Sequence, residues 1–195
     1  MRRKGHHDCQ SSSWYGWRNP LLHQKRRQNQ FDQWPNYKIL KMTSLSSYFF
    51  SDKGVLRTDE QVIAFRGFSR SEFDRGLGQY MTTQKSAPDF VVYGPISIQL
   101  WGQRFALGVR FFKDLMHGVT LTLEQGKVAA LGYNATEKDL LAERKILTTM
   151  LSKQLAHSPS STSLCADVFD FSWGGIISRA DLKSTWSGIE IRYKS

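Results

Sequence analysis

Apolar residues alternate with polar residues along three successive runs in the middle of the chain, at 96–100, 105–111 and 119–123. A period of two is typical of half-buried β-strands, since successive side chains point to opposite faces of a sheet. The short connections between the runs contain Gly102 and Gly118, and glycine is typical of hairpin turns. The pattern therefore predicts a three-stranded antiparallel meander with one apolar face.

A helix signal precedes the predicted meander. Ser69 and Glu72 have the spacing of a capping box, and Phe68 and Phe73 have the spacing of a hydrophobic staple around it. These residues predict a short helix that begins at Arg70.

A longer helix signal follows the meander. Asn134 or Thr136 can cap this helix, and Glu137 and Asp139 lie near its positive end. Leucines recur on one side of it, at Leu140, Leu147, Leu151 and Leu155. An apolar stripe of this kind needs a partner surface, and we expect it to cover the apolar face of the meander.

The end of the chain alternates again, at 169–173 and 189–193, which predicts a C-terminal hairpin. The sequence as a whole predicts an α+β domain. Its antiparallel sheet has about five to seven strands, arranged as a meander, then a helix, then the C-terminal hairpin. A long amphipathic helix covers one face, and a short capped helix precedes the meander.

The basic charge of the chain is concentrated at one end. The 195 residues carry a formal net charge of +10, of which 1–41 hold nine basic and two acidic side chains. We interpret 1–41 as a basic tail rich in Trp and Gln that is disordered or an upstream extension, with Met1 or Met42 as the native start. Residues 42–195 then form a single, nearly neutral α+β domain.

Aromatic residues are interleaved with the basic residues of this tail. Such a composition can bind single-stranded nucleic acid, because cations pair with phosphates and rings stack on bases. Weak nucleic-acid binding through the tail is therefore an alternative function. Its candidate residues are Arg2, Arg3, Lys4, Trp14, Trp17, Arg18, Lys25, Arg26 and Arg27.

Metal and cofactor motifs are not evident in the sequence. The run from His6 to Cys9 contains four potential ligands, but adjacent residues cannot all reach one ion, and no second cluster accompanies them. We expect no metal site and no cofactor. The sequence also has no apolar stretch long enough to cross a bilayer and no secretory signal, so we expect a soluble cytoplasmic protein.

Catalysis has one candidate pair in the sequence. His117 lies three residues after Asp114, and a histidine oriented by a carboxylate can act as a general base. A small hydrolase that uses His117 and Asp114 is thus a second alternative. No nucleophile elbow or phosphate-binding loop accompanies the pair, so an enzyme is the less favoured class.

The favoured function is a non-enzymatic protein-binding module with an unknown protein partner. Large aromatic residues at strand ends and arginines on the polar face of the meander can contact a partner. The candidates are Trp101, Arg104, Arg110, Trp173 and Trp186. The predicted layout is similar to that of many small bacterial binding proteins, including immunity proteins, although no motif accompanies this similarity of layout.

Overall fold

The computed structural model describes residues 45–194, which form a single β-sheet flanked by helices. The strands are β1 (Leu45–Phe50), β2 (Val55–Thr58), β3 (Val62–Ala64), β4 (Thr83–Ala87), β5 (Phe90–Leu100), β6 (Gln103–Phe112), β7 (Leu115–Leu123), β8 (Ser161–Thr162), β9 (Ala166–Phe171), β10 (Gly174–Asp181) and β11 (Trp186–Tyr193). The α-helices are α1 (Arg70–Arg75), α2 (Lys127–Leu131) and α3 (Glu137–Leu155).

The sheet is mixed. Its strand order is β3-β2-β1-β5-β6-β7-β11-β10-β9-β8, and β4 pairs with β5 beside this path. The pair β1 and β5 is parallel, with Leu45 opposite Ile98, and the other pairs are antiparallel. The predicted meander is present as β5, β6 and β7. The predicted C-terminal hairpin is present as β10 and β11, and it joins the meander where Ile191 pairs with Val119.

The predicted fold class is nevertheless wrong. The sheet has eleven strands and a parallel pair, whereas the sequence predicted an antiparallel sheet of about five to seven strands. The long helix also does not cover the meander, because α3 packs against β10 and β11. The similarity of layout to immunity proteins was based on a helix-covered sheet and is not carried further.

The position of α3 is determined partly by polar contacts that its sequence pattern did not indicate. Arg144 is buried, and its Nη1 donates to Oδ2 of Asp167 on β9 at 2.5 Å. Thr148 donates to the same oxygen at 2.6 Å. Leu147 is fully buried as expected, whereas Ile146 is 63% exposed. The buried side of α3 therefore combines leucines of the predicted stripe with Arg144, and it faces β10 and β11.

The apolar face of the meander is covered by the segment that precedes it in the chain. Leu56 on β2 and Ile63 on β3 are fully buried in the same core as the meander residues. Phe73 of α1 adds an aromatic contact, since its ring centroid lies 4.9 Å from that of Tyr93 and 5.3 Å from that of Phe111. The strands β2 and β3 and helix α1 thus take the place that the sequence assigned to the long helix.

The short helix α1 begins at Arg70, as predicted. The Ser69 hydroxyl accepts a hydrogen bond from the Glu72 amide at 3.3 Å, and the Glu72 carboxylate accepts one from the Ser69 amide at 3.1 Å. This confirms the predicted capping box, a local arrangement that depends only on residues close in sequence.

Trp173 connects two strands that are far apart in the sheet order. It lies between β9 and β10, and its Nε1 donates to the Ser51 carbonyl oxygen after β1 at 2.7 Å. Five strand spacings separate β1 from β10, which is ~24 Å in a flat sheet. The sheet must therefore curl so that its apolar face closes on itself. Gly54 allows the contact, because it has a φ of +65° and a side chain there would overlap the Trp173 ring.

We expect Trp173→Ala to lower the free energy of unfolding by about 3–5 kcal/mol, because it removes a large buried ring and leaves a cavity. Chemical denaturation followed by circular dichroism measures this change. Leu164→Ala is the control, since Leu164 is 57% exposed. A loss no larger than that of the control would contradict the role given to Trp173.

Candidate protein-binding site

The face of the sheet opposite the core carries the candidate site. Arg104 and Arg110 lie on this outer face of β6, because their neighbours Phe105 and Phe111 are fully buried in the core. The register places residues of β7, β11 and β10 beside them. Side chains that are distant in sequence therefore share this surface.

Three arginines from three different strands surround one glutamate on the outer face. We call this group the basic cluster, and its members are Arg110 on β6, Arg179 on β10, and Glu190 and Arg192 on β11. Nε and Nη2 of Arg192 donate to Glu190 Oε2 at 2.9 and 2.5 Å, and Nη1 of Arg179 lies 3.9 Å from Oε1. The cluster holds three positive charges and one negative charge, so it is positively charged overall.

Glycine makes room for the buried arginine of the cluster. Arg110 pairs across the sheet with Gly118, which in turn pairs with Arg192. A Cβ atom on Gly118 would lie 3.3 Å from Nη2 of Arg110. The absence of a side chain at Gly118 therefore leaves room for Arg110 to lie close to the sheet, where the residue is only 8% exposed.

The members of the cluster shift one another's ionisation. Burial alone would raise the pKa of Glu190, but Arg110, Arg192 and Arg179 together hold that pKa below its usual value. Burial lowers the pKa of Arg110, and Glu190 opposes this effect. Glu190 is therefore ionised at neutral pH and compensates part of the arginine charge.

An aromatic group borders the basic cluster. It consists of Phe90, Phe112 and His117, whose ring centroids are 4.9 Å apart for Phe90 and Phe112 and 5.4 Å apart for Phe90 and His117. His117 is the unpaired residue of a β-bulge, since Met116 and Gly118 pair with consecutive residues of β6. Bulges of this kind redirect a side chain, and here the ring lies against the two phenylalanines.

The environment of His117 disfavours its charged form. Burial lowers the pKa of its imidazole, and the nearby charges of Arg110 and Arg192 lower it further. The imidazole is therefore neutral at pH 7.

The predicted His117 and Asp114 pair is not joined in the structure. Among residues 45–194, Asp114 forms its ion pair with Arg70 at 3.6 Å, and no hydrogen bond connects it to His117. His117 contacts Phe90 and Phe112 instead. The structure thus gives the two residues different neighbours.

The tryptophans predicted to contact a partner occupy different sides of the sheet. Trp173 is 6% exposed and Trp101 packs against Phe105 in the core, so neither offers a free ring on the outer face. Trp186 lies on that face, where its Nε1 donates to Thr122 Oγ1 at 2.8 Å.

The two arginines predicted to contact a partner have different surroundings. Arg104 is half exposed and forms an ion pair with Glu124 at 3.1 Å. Arg110 belongs to the basic cluster described above. The structure therefore brings Arg110, rather than the set of five predicted residues, together with other charged groups.

Sequence reasoning missed Arg179 and the two phenylalanines of the aromatic group as site residues. Alternation along the last strand indicated that Glu190 and Arg192 point outward. It did not indicate that they lie beside Arg110, because that depends on the pairing of β11 with β7. The nucleic-acid candidates of the tail lie outside the described residues.

Within 45–194, no group of three or more His, Cys, Asp or Glu side chains could hold a metal ion. None of the helices in this part of the chain is both long enough and apolar enough to span a membrane.

No family model, curated protein or solved structure matches this chain. The residues of this chain and their geometry are therefore the basis for inferring its function.

We expect Glu190→Gln to lower the free energy of unfolding by about 3–5 kcal/mol, because the buried Arg110 loses the negative charge that opposes the effect of its burial. The folded-state pKa of Glu190 is lowered, so the stabilisation that its negative charge provides is fully present above its unfolded-state pKa. This stabilisation is lost as the pH falls through the folded-state pKa. Denaturation at a series of pH values should show a weaker dependence on acid pH in the variant. Glu60→Gln is the control at an exposed site. An equal loss of unfolding free energy in both variants would show that Glu190 does not stabilise the protein by compensating the arginines.

The imidazole of His117 should titrate below its usual pKa of ~6.5, as measured by NMR from its ring proton shifts. Arg192→Gln should raise that pKa, because it removes a nearby positive charge. Lys138→Gln, an exposed change on α3, should leave it unchanged. An unperturbed midpoint in the wild-type protein would show that the ring is neither buried nor close to the arginines in solution.

Proposed function

We propose that this chain is a non-enzymatic protein-binding module that docks an acidic segment of a partner protein on the basic cluster. The excess positive charge of the cluster carries the proposal. Complementary charges steer association and select among partners, and three arginines gathered around one glutamate favour a partner that brings carboxylates.

Two of the arginines are accessible to a partner. The side chain of Arg192 is 43% exposed and that of Arg179 is 25% exposed. Guanidinium groups carry five N–H donors in a planar fork that matches a carboxylate. Arg192 uses two of its nitrogens on Glu190, and within 45–194 Arg179 is held only by its long ion pair to the same residue. Donors therefore remain for an incoming acidic side chain.

The arrangement favours a protein over a nucleic acid as the partner of this surface. Binding of a nucleic-acid backbone relies on several cations that neutralise successive phosphates. The basic cluster is compact and contains a carboxylate, and the described residues hold 18 basic and 15 acidic side chains. Their nearly balanced charge does not favour an extended polyanion.

The test is a selection of random peptides displayed on phage against the full chain, followed by affinity measurements on the enriched peptides by fluorescence anisotropy. We expect the enriched peptides to be acidic. We also expect the double variant Arg179→Gln, Arg192→Gln to weaken their binding by at least about tenfold, since two charge-assisted contacts are removed.

The matched control removes two positive charges elsewhere, by Lys138→Gln and Lys145→Gln on the exposed side of α3. It should leave the affinity within about twofold of wild type, because exposed charges distant from a ligand are screened. Equal effects of the two double variants would reject the proposed surface. Single-stranded DNA serves as a competitor ligand in the same assay. If it bound more tightly than the peptides, and lost this affinity in the arginine variant but not in the lysine variant, the partner of this surface would be a nucleic acid.

A further inference from the structure

We infer that the basic cluster and the aromatic group form one two-part site, which takes a carboxylate and a large apolar side chain of the partner at a spacing of about 12 Å. This inference depends on the proposed function and specifies the chemistry of the partner segment. It commits to a protein segment as the occupant, because only such a ligand supplies both groups on one scaffold.

The spacing follows from strand geometry. Phe112 lies two residues from Arg110 on β6, which is about 7 Å along the strand, and the exposed Arg192 lies two strands across from Arg110 through Gly118, which is about 10 Å. The backbone positions of Arg192 and Phe112 are therefore about 12 Å apart. A partner strand presents side chains on one face with about that separation at positions i and i+4. A partner helix presents them at i and i+7 or i+8, about 11–12 Å apart along its axis.

The aromatic part offers a surface for an apolar side chain. Phe112 is 37% exposed even though it stands beside charged residues. Phe90 and His117 support its ring from the side, and Nζ of Lys113 lies 5.4 Å from its centroid. Phenylalanine and arginine are both enriched in the cores of protein interfaces, so an exposed ring beside arginines suits a partner side chain.

His117 connects the two parts. Its ring contacts both phenylalanines. Burial and the positive charges of Arg110 on β6 and Arg192 on β11 lower the pKa of its imidazole, and the negative charge of Glu190 opposes the effect of the arginines. A neutral imidazole packs with the rings without adding further positive charge. A ligand carboxylate on the arginines and a ligand ring on Phe112 would therefore both contact the vicinity of His117, which makes its NMR signals a local probe of occupancy.

The experiment uses the full chain and four short synthetic peptides with one flexible Gly/Ser background. The first contains Asp and Phe separated by three residues, the second has Phe replaced by Ala, the third has Asp replaced by Asn, and the fourth has Asp and Phe adjacent. Affinity is measured by NMR titration, with the His117 ring signals as one readout. We expect the first peptide to bind at least about tenfold more tightly than each of the other three.

Three protein variants locate the two parts. Phe112→Ala should remove the advantage of the first peptide over the second and leave the affinity for the second unchanged. The double variant Arg179→Gln, Arg192→Gln should weaken both peptides by about tenfold. Tyr133→Ala is the matched control, because Tyr133 is an exposed aromatic residue outside the site, with 56% exposure, and it should change neither affinity.

The outcomes separate this inference from the proposed function. Binding that depends on the arginines but not on Phe112 would overturn the two-part site and leave the acidic-segment proposal standing. Binding that depends on neither would overturn both. Inorganic phosphate that binds as tightly as the first peptide would overturn the two-part site as well, since it would identify the arginines as a site for small anions.

Discussion

The curl of the sheet is the constraint on which the rest of this structure depends. An alternating sheet has one apolar face, and that face must be removed from water. Here the strands before the meander fold over it, and Trp173 on the far side reaches back to Ser51. The apolar face is thereby closed largely by the sheet itself. The long helix is left to pack at one end, against β10 and β11.

This closure also gives the outer face its character. Because the core side is closed by the sheet itself and by α1, the outward side chains of β6, β7, β10 and β11 can be charged. The buried position of Arg110 on this face depends on Gly118 beneath it and on Glu190 nearby. Glu190 affects both the stability and the charge of this face. It compensates the buried charge of Arg110, and as one negative charge among three arginines it leaves the cluster positively charged overall.

The same geometry separates the possible functions. A general base needs an oriented partner, and His117 has rings rather than a carboxylate beside it. A track for nucleic acid needs repeated cations, and the basic cluster is compact. A partner segment that carries both a carboxylate and an apolar side chain fits the proposed use of the arginines and Phe112.

The sequence by itself determined the elements that depend on near neighbours. Alternation indicated the strands of the meander and of the C-terminal hairpin, and the capping box of Ser69 and Glu72 indicated where α1 begins. These features could be predicted because strand alternation and helix capping involve residues a few positions apart. The candidate site could be predicted only in part: Arg110 was named, and Glu190 and Arg192 were placed on an outward face.

Only the tertiary structure decided which strands lie side by side, what covers the meander and which charges meet. The parallel pairing of β1 with β5, the contact between Arg144 and Asp167, and the pairing of β11 with β7 all join residues far apart in the chain. Such contacts depend on how the whole apolar surface is most completely buried. A local pattern of polar and apolar residues does not specify that arrangement, because several strand orders would satisfy the same alternation.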